Sequence, residues 1–216
     1  ETKALWPLYE AVVNSIQAIE DSNNRDNGEI WIIVKRERSG QYYLNGEEKL
    51  ERIESFTIMD NGIGMNTDNY KSFNTAYSTL KIQKGCKGIG RFLWLKAFKE
   101  VLIKSRYEEN GRWYCREFKF SPEGIEPEQN IHITEDNDSK TTIELKGFFS
   151  QYKKAAPIEL DVIAKKIIEH CLPFFISGKC PQIIICDNVS GSINLNQLFD
   201  EKIMNHLVEV FKNIEL

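Results

Sequence analysis

The chain has 216 residues, 41% of them hydrophobic, and a formal net charge of −4. That is enough apolar material for one large domain, or for one domain and part of another. Acidic and basic residues are mixed along the chain, which gives no support for broad nucleic-acid binding. No apolar run approaches the roughly 18 residues that cross a bilayer.

Residues 3–21, "KALWPLYEAVVNSIQAIED", place Leu5, Leu8 or Tyr9, Val12 or Val13, Ile16 and Ile19 at helical spacing, with Pro7 in the first turn. The turn formers "SNNRDNG" end this helix, and "EIWIIVKRE" at 29–37 reads as a strand. "SGQYYLNGEE" is an exposed hairpin signal centred on Asn45-Gly46. "SFTIMDNGIGM" at 55–65 is a strand entering a glycine turn. Residues 66–87 predict a helix and then a mobile loop, and residues 88–100 predict another helix. "VLIKSRY", "RWYCREFKF", "NIHITED" and "TTIELKGFF" follow as strands. A long amphipathic helix is predicted over 157–177, then a strand "QIIICD" and a helix near 196–213. The change of pattern puts a boundary near 150, dividing the chain into 1–150 and 151–216. The order of elements predicts an α+β sandwich, with helices on one face of a mixed sheet.

The five cysteines form no Cys-x-x-Cys pair, and the three histidines are scattered. This spacing disfavours a zinc site, and reduced thiols in a cytoplasmic protein are the expectation. The chain starts at Glu1 without methionine and stops within a helical pattern, and it reads as a piece of a longer protein.

Three stretches carry possible chemistry. On the first helix, Glu10, Asn14, Gln17 and Asp21 form a polar stripe. The plain reading is a solvated face. The chemical reading is a carboxylate that takes a proton from water, beside an amide that holds Mg2+. In "IMDNGIGM", Asp60 ends an apolar strand and Gly62 and Gly64 follow. This is either a tight turn or a carboxylate placed to accept from an exocyclic amino group, with glycines that admit a planar base. In "GCKGIGRF", Gly85, Gly88 and Gly90 precede a helix among Lys84, Lys87 and Arg91. Backbone amides at such a start attract phosphate. The stretch lacks the preceding strand of a dinucleotide fold and the Gly-Lys-Ser/Thr of a P-loop.

Taken in order, "EAVVNSIQA", "DNGIGM" and "GCKGIG" resemble the asparagine box and the two glycine boxes of the GHKL superfamily: gyrase B, heat-shock chaperone ATPases, histidine kinases and MutL. "KTTIEL" at 140–145 resembles the late strand of that family whose threonine assists adenine recognition. "KGIGRFLWLKAF" looks most like the bacterial chaperone-like and Morc-like members. The resemblance implies a Bergerat-type two-layer α/β sandwich over 1–150, with 151–216 as the start of a transducer-like second α/β domain. It implies ATP and Mg2+ as cofactors. Glu10 would be the general base and Asn14 the Mg2+ ligand. Asp60 would bind the adenine amino group, with Gly62, Gly64 and Met65 beside the base and Thr141 (or Thr142) assisting. Gly85, Lys87, Gly88, Ile89 and Gly90 would wrap the phosphates, with Lys81, Lys84 or Lys87 as the lid cation.

Two positions depart from the pattern: Gln17 stands where many relatives have an acid, and Lys140 where glycine usually precedes the threonine. The implied activity is slow ATP hydrolysis that drives lid closure and ATP-dependent homodimerisation of a larger protein without membrane segments. The alternative is a nucleotide-binding regulatory module that hydrolyses little or nothing.

Overall fold

Alternation in "EIWIIVKR" decides which face of the sheet is covered. In this strand, Glu29–Arg36 (β1), Ile30, Ile32 and Val34 are buried, while Glu29, Trp31, Ile33 and Lys35 face outward. The computed structural model describes residues 3–22, 25–37, 50–74 and 90–202, without the side chains of 127–129. The predicted hairpin around Asn45-Gly46 lies outside the described residues.

The remaining strands are Ile53–Asp60 (β2), Phe98–Glu109 (β3), Arg112–Ser121 (β4), Gly124–Ile133 (β5), Lys140–Phe148 (β6), Gln182–Asp187 (β7) and Gly191–Asn194 (β8). They form one eight-stranded sheet in the order β5-β4-β3-β6-β2-β1-β7-β8. Every pairing is antiparallel except β1 with β7. Asn110 and Gly111, with φ of 53° and 73°, join β3 to β4. Two successive left-handed residues are what a two-residue hairpin needs to match the twist of its strands.

The helices are Trp6–Glu20 (α1), Thr67–Asn74 (α2), Arg91–Ala97 (α3), Ser150–Ala155 (α4), Leu160–His170 (α5) and Leu172–Ile176 (α6), and residues 195–202 are helical. Leu8, Val12, Ile16 and Ile19 of α1, and Ile163 and Ile167 of α5, join the inner face of the sheet in one core. Phe98 and Phe148 stack there with centroids 4.5 Å apart. The α+β expectation, a mixed sheet with helices on one face, matches this architecture.

Local boundaries differ from the sequence reading. The helix predicted over 88–100 ends at Ala97, because Phe98 enters β3 opposite Phe148. The helix predicted over 157–177 is two helices, α5 and α6, meeting at Cys171. Pro173 has no amide hydrogen to continue the ladder and suits a new first turn. β5 starts at Gly124 and contains Pro127, which an edge strand tolerates. Beyond the expected boundary near 150, β7 and β8 continue the same sheet, and α5 packs into the same core.

A buried ion pair ties this later segment to β1. Arg36 and Asp187 are 2% and 0% exposed and 2.5 Å apart, and the guanidinium also donates to the carbonyls of Glu51 and Ile158. Burial pushes the Asp187 carboxyl up, but the Ser190 amide, Arg36 and the Val189 amide together hold it below its ordinary range.

Candidate functional site

The site is built where α1 packs over β1 and β2, at the end of β2 that pairs with β6. Asp60 is the last residue of β2 and is buried. Its register partners are Ile30 on β1 and Thr141 on β6, and Thr141 is in turn opposite Ser105 on β3. Directly paired residues share a face of the sheet, so Asp60, Thr141 and Ser105 form a polar row beneath α1. Thr142 pairs with Met59 and points to the opposite face. Of the two threonines left open by the sequence, Thr141 is the one on the Asp60 side.

Hydrogen bonds hold this row in place. Ser15 of α1 donates to Asp60 Oδ2 at 2.7 Å, and the Gly62 amide donates to Oδ1 at 3.0 Å. Ser105 and Thr141 hydroxyls lie 2.9 Å apart, and the Met65 amide donates to Ser105 Oγ at 2.8 Å. The two bonds orient the Asp60 carboxylate.

The glycine turn is fixed by protein contacts. A Cβ on Gly62 would lie 2.6 Å from the Ala18 carbonyl carbon, and the Ile63 amide donates to Ala18 O at 2.9 Å. Gly64 has φ of +79°, and a Cβ there would approach Arg106 O and Tyr107 Cβ at 2.8 Å. Both glycines are therefore required for the turn to lie against α1 and β3. The next segment is held by Arg116, whose guanidinium sits 4.3 Å above the Tyr70 ring and donates to Asn66 O at 3.1 Å.

Glu10 and Asn14 stand one turn apart on α1, both half-buried. Among the described residues neither side chain makes a hydrogen bond or ion pair. Burial raises the Glu10 pKa above its ordinary value. Its carboxylate lies against Gly90: a Cβ there would be 2.1 Å from Oε2. Gly90 itself has helical angles, φ −57° and ψ −37°, so closeness to Glu10, not backbone freedom, demands glycine. Gln17 is buried at 4% exposure and Glu10 and Asn14 are half-buried, so of the stripe Asp21 alone is on the solvated face that spacing allows.

Lys81, Lys84, Gly85, Lys87, Gly88 and Ile89 lie outside the described residues. Sequence reasoning missed Ser15 and Ser105. Ser15 could have been found from its place beside Asn14 on the helix, whereas a lone serine inside β3 carries no signal. Arg91 was read only as positive charge near phosphates. It is buried, with its guanidinium 4.6 Å from the Phe92 centroid and 5.3 Å from that of Phe73. Burial lowers its pKa.

A scan of family models and a search of curated proteins find no match to the chain. Among the described residues no helix is long and apolar enough to cross a membrane.

Proposed function

We propose that the chain is a GHKL-type ATP-binding module that hydrolyses ATP slowly. The observation that carries this reading is the pair Glu10 and Asn14. Two half-buried polar side chains with no described partner stand one helical turn apart. Both keep hydrogen-bonding groups within reach of a bound ligand. The row Asp60–Thr141–Ser105 is tied to the same helix by Ser15, the chain neighbour of Asn14.

The chemistry divides between these groups. Asp60 and Thr141 would receive the adenine edge, with Met65 and the glycine turn beside the ring. Asn14 fits an Mg2+ ion, since an amide oxygen is a hard ligand and the ion takes its remaining ligands from phosphate and water. Bound there, Mg2+ would neutralise phosphate charge. Glu10 would accept a proton from the water that attacks the γ-phosphorus, as ADP leaves and inorganic phosphate forms. Its raised proton affinity suits a general base. Closure of a lid carrying Lys81 and Gly85–Gly90 over the nucleotide would favour an ATP-dependent homodimer of a larger cytoplasmic protein.

The buried amide of Gln17 favours a second reading. With an amide in place of the acid that many relatives carry, water near Glu10 would be held differently, and the module would bind nucleotide with little turnover.

Calorimetry with a non-hydrolysable ATP analogue and Mg2+ tests binding. Asp60→Asn should weaken it by about 10- to 100-fold, the worth of a charge-assisted hydrogen bond. Absence of binding by the native chain would overturn both readings. Phosphate release that survives Glu10→Ala would remove Glu10 from the role of base. Binding without any turnover in the full protein would leave only the regulatory module.

A further inference from the structure

From the face of the sheet opposite α1, and round the strand ends to the C-terminus of α1, runs a cleft of about 950 Å3. Its lining includes Trp31, Met59, Trp113, Glu29, Glu108 and Asp138, with Asp21 and Lys140 also at its edge. Glu10, Asn14, Met65 and Thr141 do not line it. Only the turn Asp60–Ile63 is common to the cleft and the candidate nucleotide site.

We propose that this cleft binds an extended, arginine-rich segment of a partner protein. Register sets its length. Trp113 is opposite Glu108 across β4 and β3, and Trp31 is opposite Met59 across β1 and β2. From β4 to β1 the sheet runs through β3, β6 and β2. At about 4.8 Å per strand that is roughly 19 Å, the span of five or six extended residues. The cleft is therefore a trough with an indole at either side of the sheet.

Its chemistry is cation-selective. Among the described residues five acidic residues, Asp21, Glu29, Asp60, Glu108 and Asp138, and one lysine, Lys140, line it. Asp138 is paired with Arg106, but the Glu29 and Glu108 side chains make no ion pair among the described residues. Trp31 is 38% exposed, so its indole is accessible to a ligand. A guanidinium stacks on an indole and forks onto a carboxylate at the same time, which an ammonium does less well. An extended peptide directs alternate side chains to one side, so arginine at every second position would reach the floor of the trough.

The walls are built in advance. Arg106 reaches Asp136 through Nη1 and Asp138 through Nη2, and Ser139 Oγ donates to the Gly62 carbonyl. The Thr134 amide donates to Trp113 O at 3.1 Å. At the other side Asn61 Oδ1 accepts from the Glu29 amide at 2.8 Å, while its Nδ2 donates to Asn27 O at 2.8 Å. A pre-formed site loses less entropy on binding.

The test is fluorescence anisotropy at low salt with a labelled Arg-Gly-Arg-Gly-Arg-Gly peptide. The native chain should bind it, and Trp31→Ala or Glu108→Gln should each weaken binding at least tenfold. Asp161→Asn, on α5 across the sheet, should change nothing. Glu108→Gln removes charge with little change of shape, so it stays informative if Trp31→Ala folds poorly. An ATP analogue should not displace the peptide, which keeps this test separate from that of the nucleotide site. Failure to bind at millimolar peptide, equal binding by Glu108→Gln, or equal binding of a Glu-Gly peptide would overturn the proposal. So would spermine displacing the peptide at equal concentration, which would make the trough a polyamine site.

Discussion

Replacing Gly90 with alanine should separate stability from catalysis. Gly90 has helical angles, and alanine in place of a helical glycine stabilises by about 0.4–1 kcal/mol through the unfolded chain. For a domain of this size that is about 1–4 °C in Tm. The new methyl, however, would sit 2.1 Å from Glu10 Oε2 and 2.7 Å from its Cδ. Ordinary contact begins near 3.4 Å, so the carboxylate must retreat by roughly 1.3 Å. It is the far end of a flexible side chain, so the move costs the fold little. A displaced base costs much more: about 1 Å of misplacement lowers a rate on the order of 100-fold, or about 2.7 kcal/mol of barrier. The expected result for Gly90→Ala is an unchanged or slightly raised Tm by calorimetry, near-native affinity for the ATP analogue, and phosphate release down about 100-fold. In a Glu10→Ala background the same change should only stabilise. Native turnover in Gly90→Ala would refute the assignment of Glu10 as base, and a Tm lowered by more than about 5 °C would refute the packing argument.

Glu10→Gln should raise the unfolding free energy measured in urea at neutral pH by roughly 1 kcal/mol while abolishing phosphate release. The folded pKa of Glu10 is raised by burial. Its ionisation therefore costs the fold nothing below the unfolded value and its full penalty above the folded one, so the advantage of glutamine should shrink as pH falls through that window. Arg36→Met strands the Asp187 carboxylate, which is fully buried, and should cost about 3–5 kcal/mol in urea unfolding. Asp187 has the opposite sign: its folded pKa is lowered. Its contribution is present above the ordinary carboxylate value and is lost as pH falls through the folded one. Gly28→Ala would place a methyl 2.4 Å from Ile19 Cγ2 and 3.1 Å from Pro181 Cβ, so overpacking of about 1–3 kcal/mol should appear as a lower Tm.

Elements with one clear period were legible in the sequence. β1 alternates and α1 carries its apolar residues at helical spacing, and both lie where the pattern puts them. Where two periods overlap, the pattern misleads. "AFKEVLI" continues an apolar run out of α3, yet Phe98 begins a strand because Phe148 awaits it across the sheet. "EHCLPFFIS" keeps an apolar stripe through the break at Cys171. The candidate site was legible as residue types: Glu10, Asn14 and Asp60 on α1 and β2. Its internal wiring was not. Choosing Thr141 over Thr142 requires knowing that β6 lies beside β2 in one register, and the role of Ser105 requires knowing that β3 follows. The glycines were noted as permissive of a ligand. Gly62 and Gly90 prove to be spaces cut for Ala18 and Glu10, a property of pairs far apart in sequence.

The parallel pairing of β1 with β7 also sets the order in which the molecule can be made. β1 is synthesised well before β7, its partner on one side, with five described strands between them. Until residues 182–187 are available, Ile30, Ile32 and Val34 belong to a strand with one unsatisfied edge, and the charge of Arg36 has no Asp187 to meet. Such long-range closure slows folding and leaves an exposed edge that invites pairing with other chains. A nascent chain released before Asp187 would carry every residue of the Asp60–Thr141 row and still lack a finished sheet to hold it.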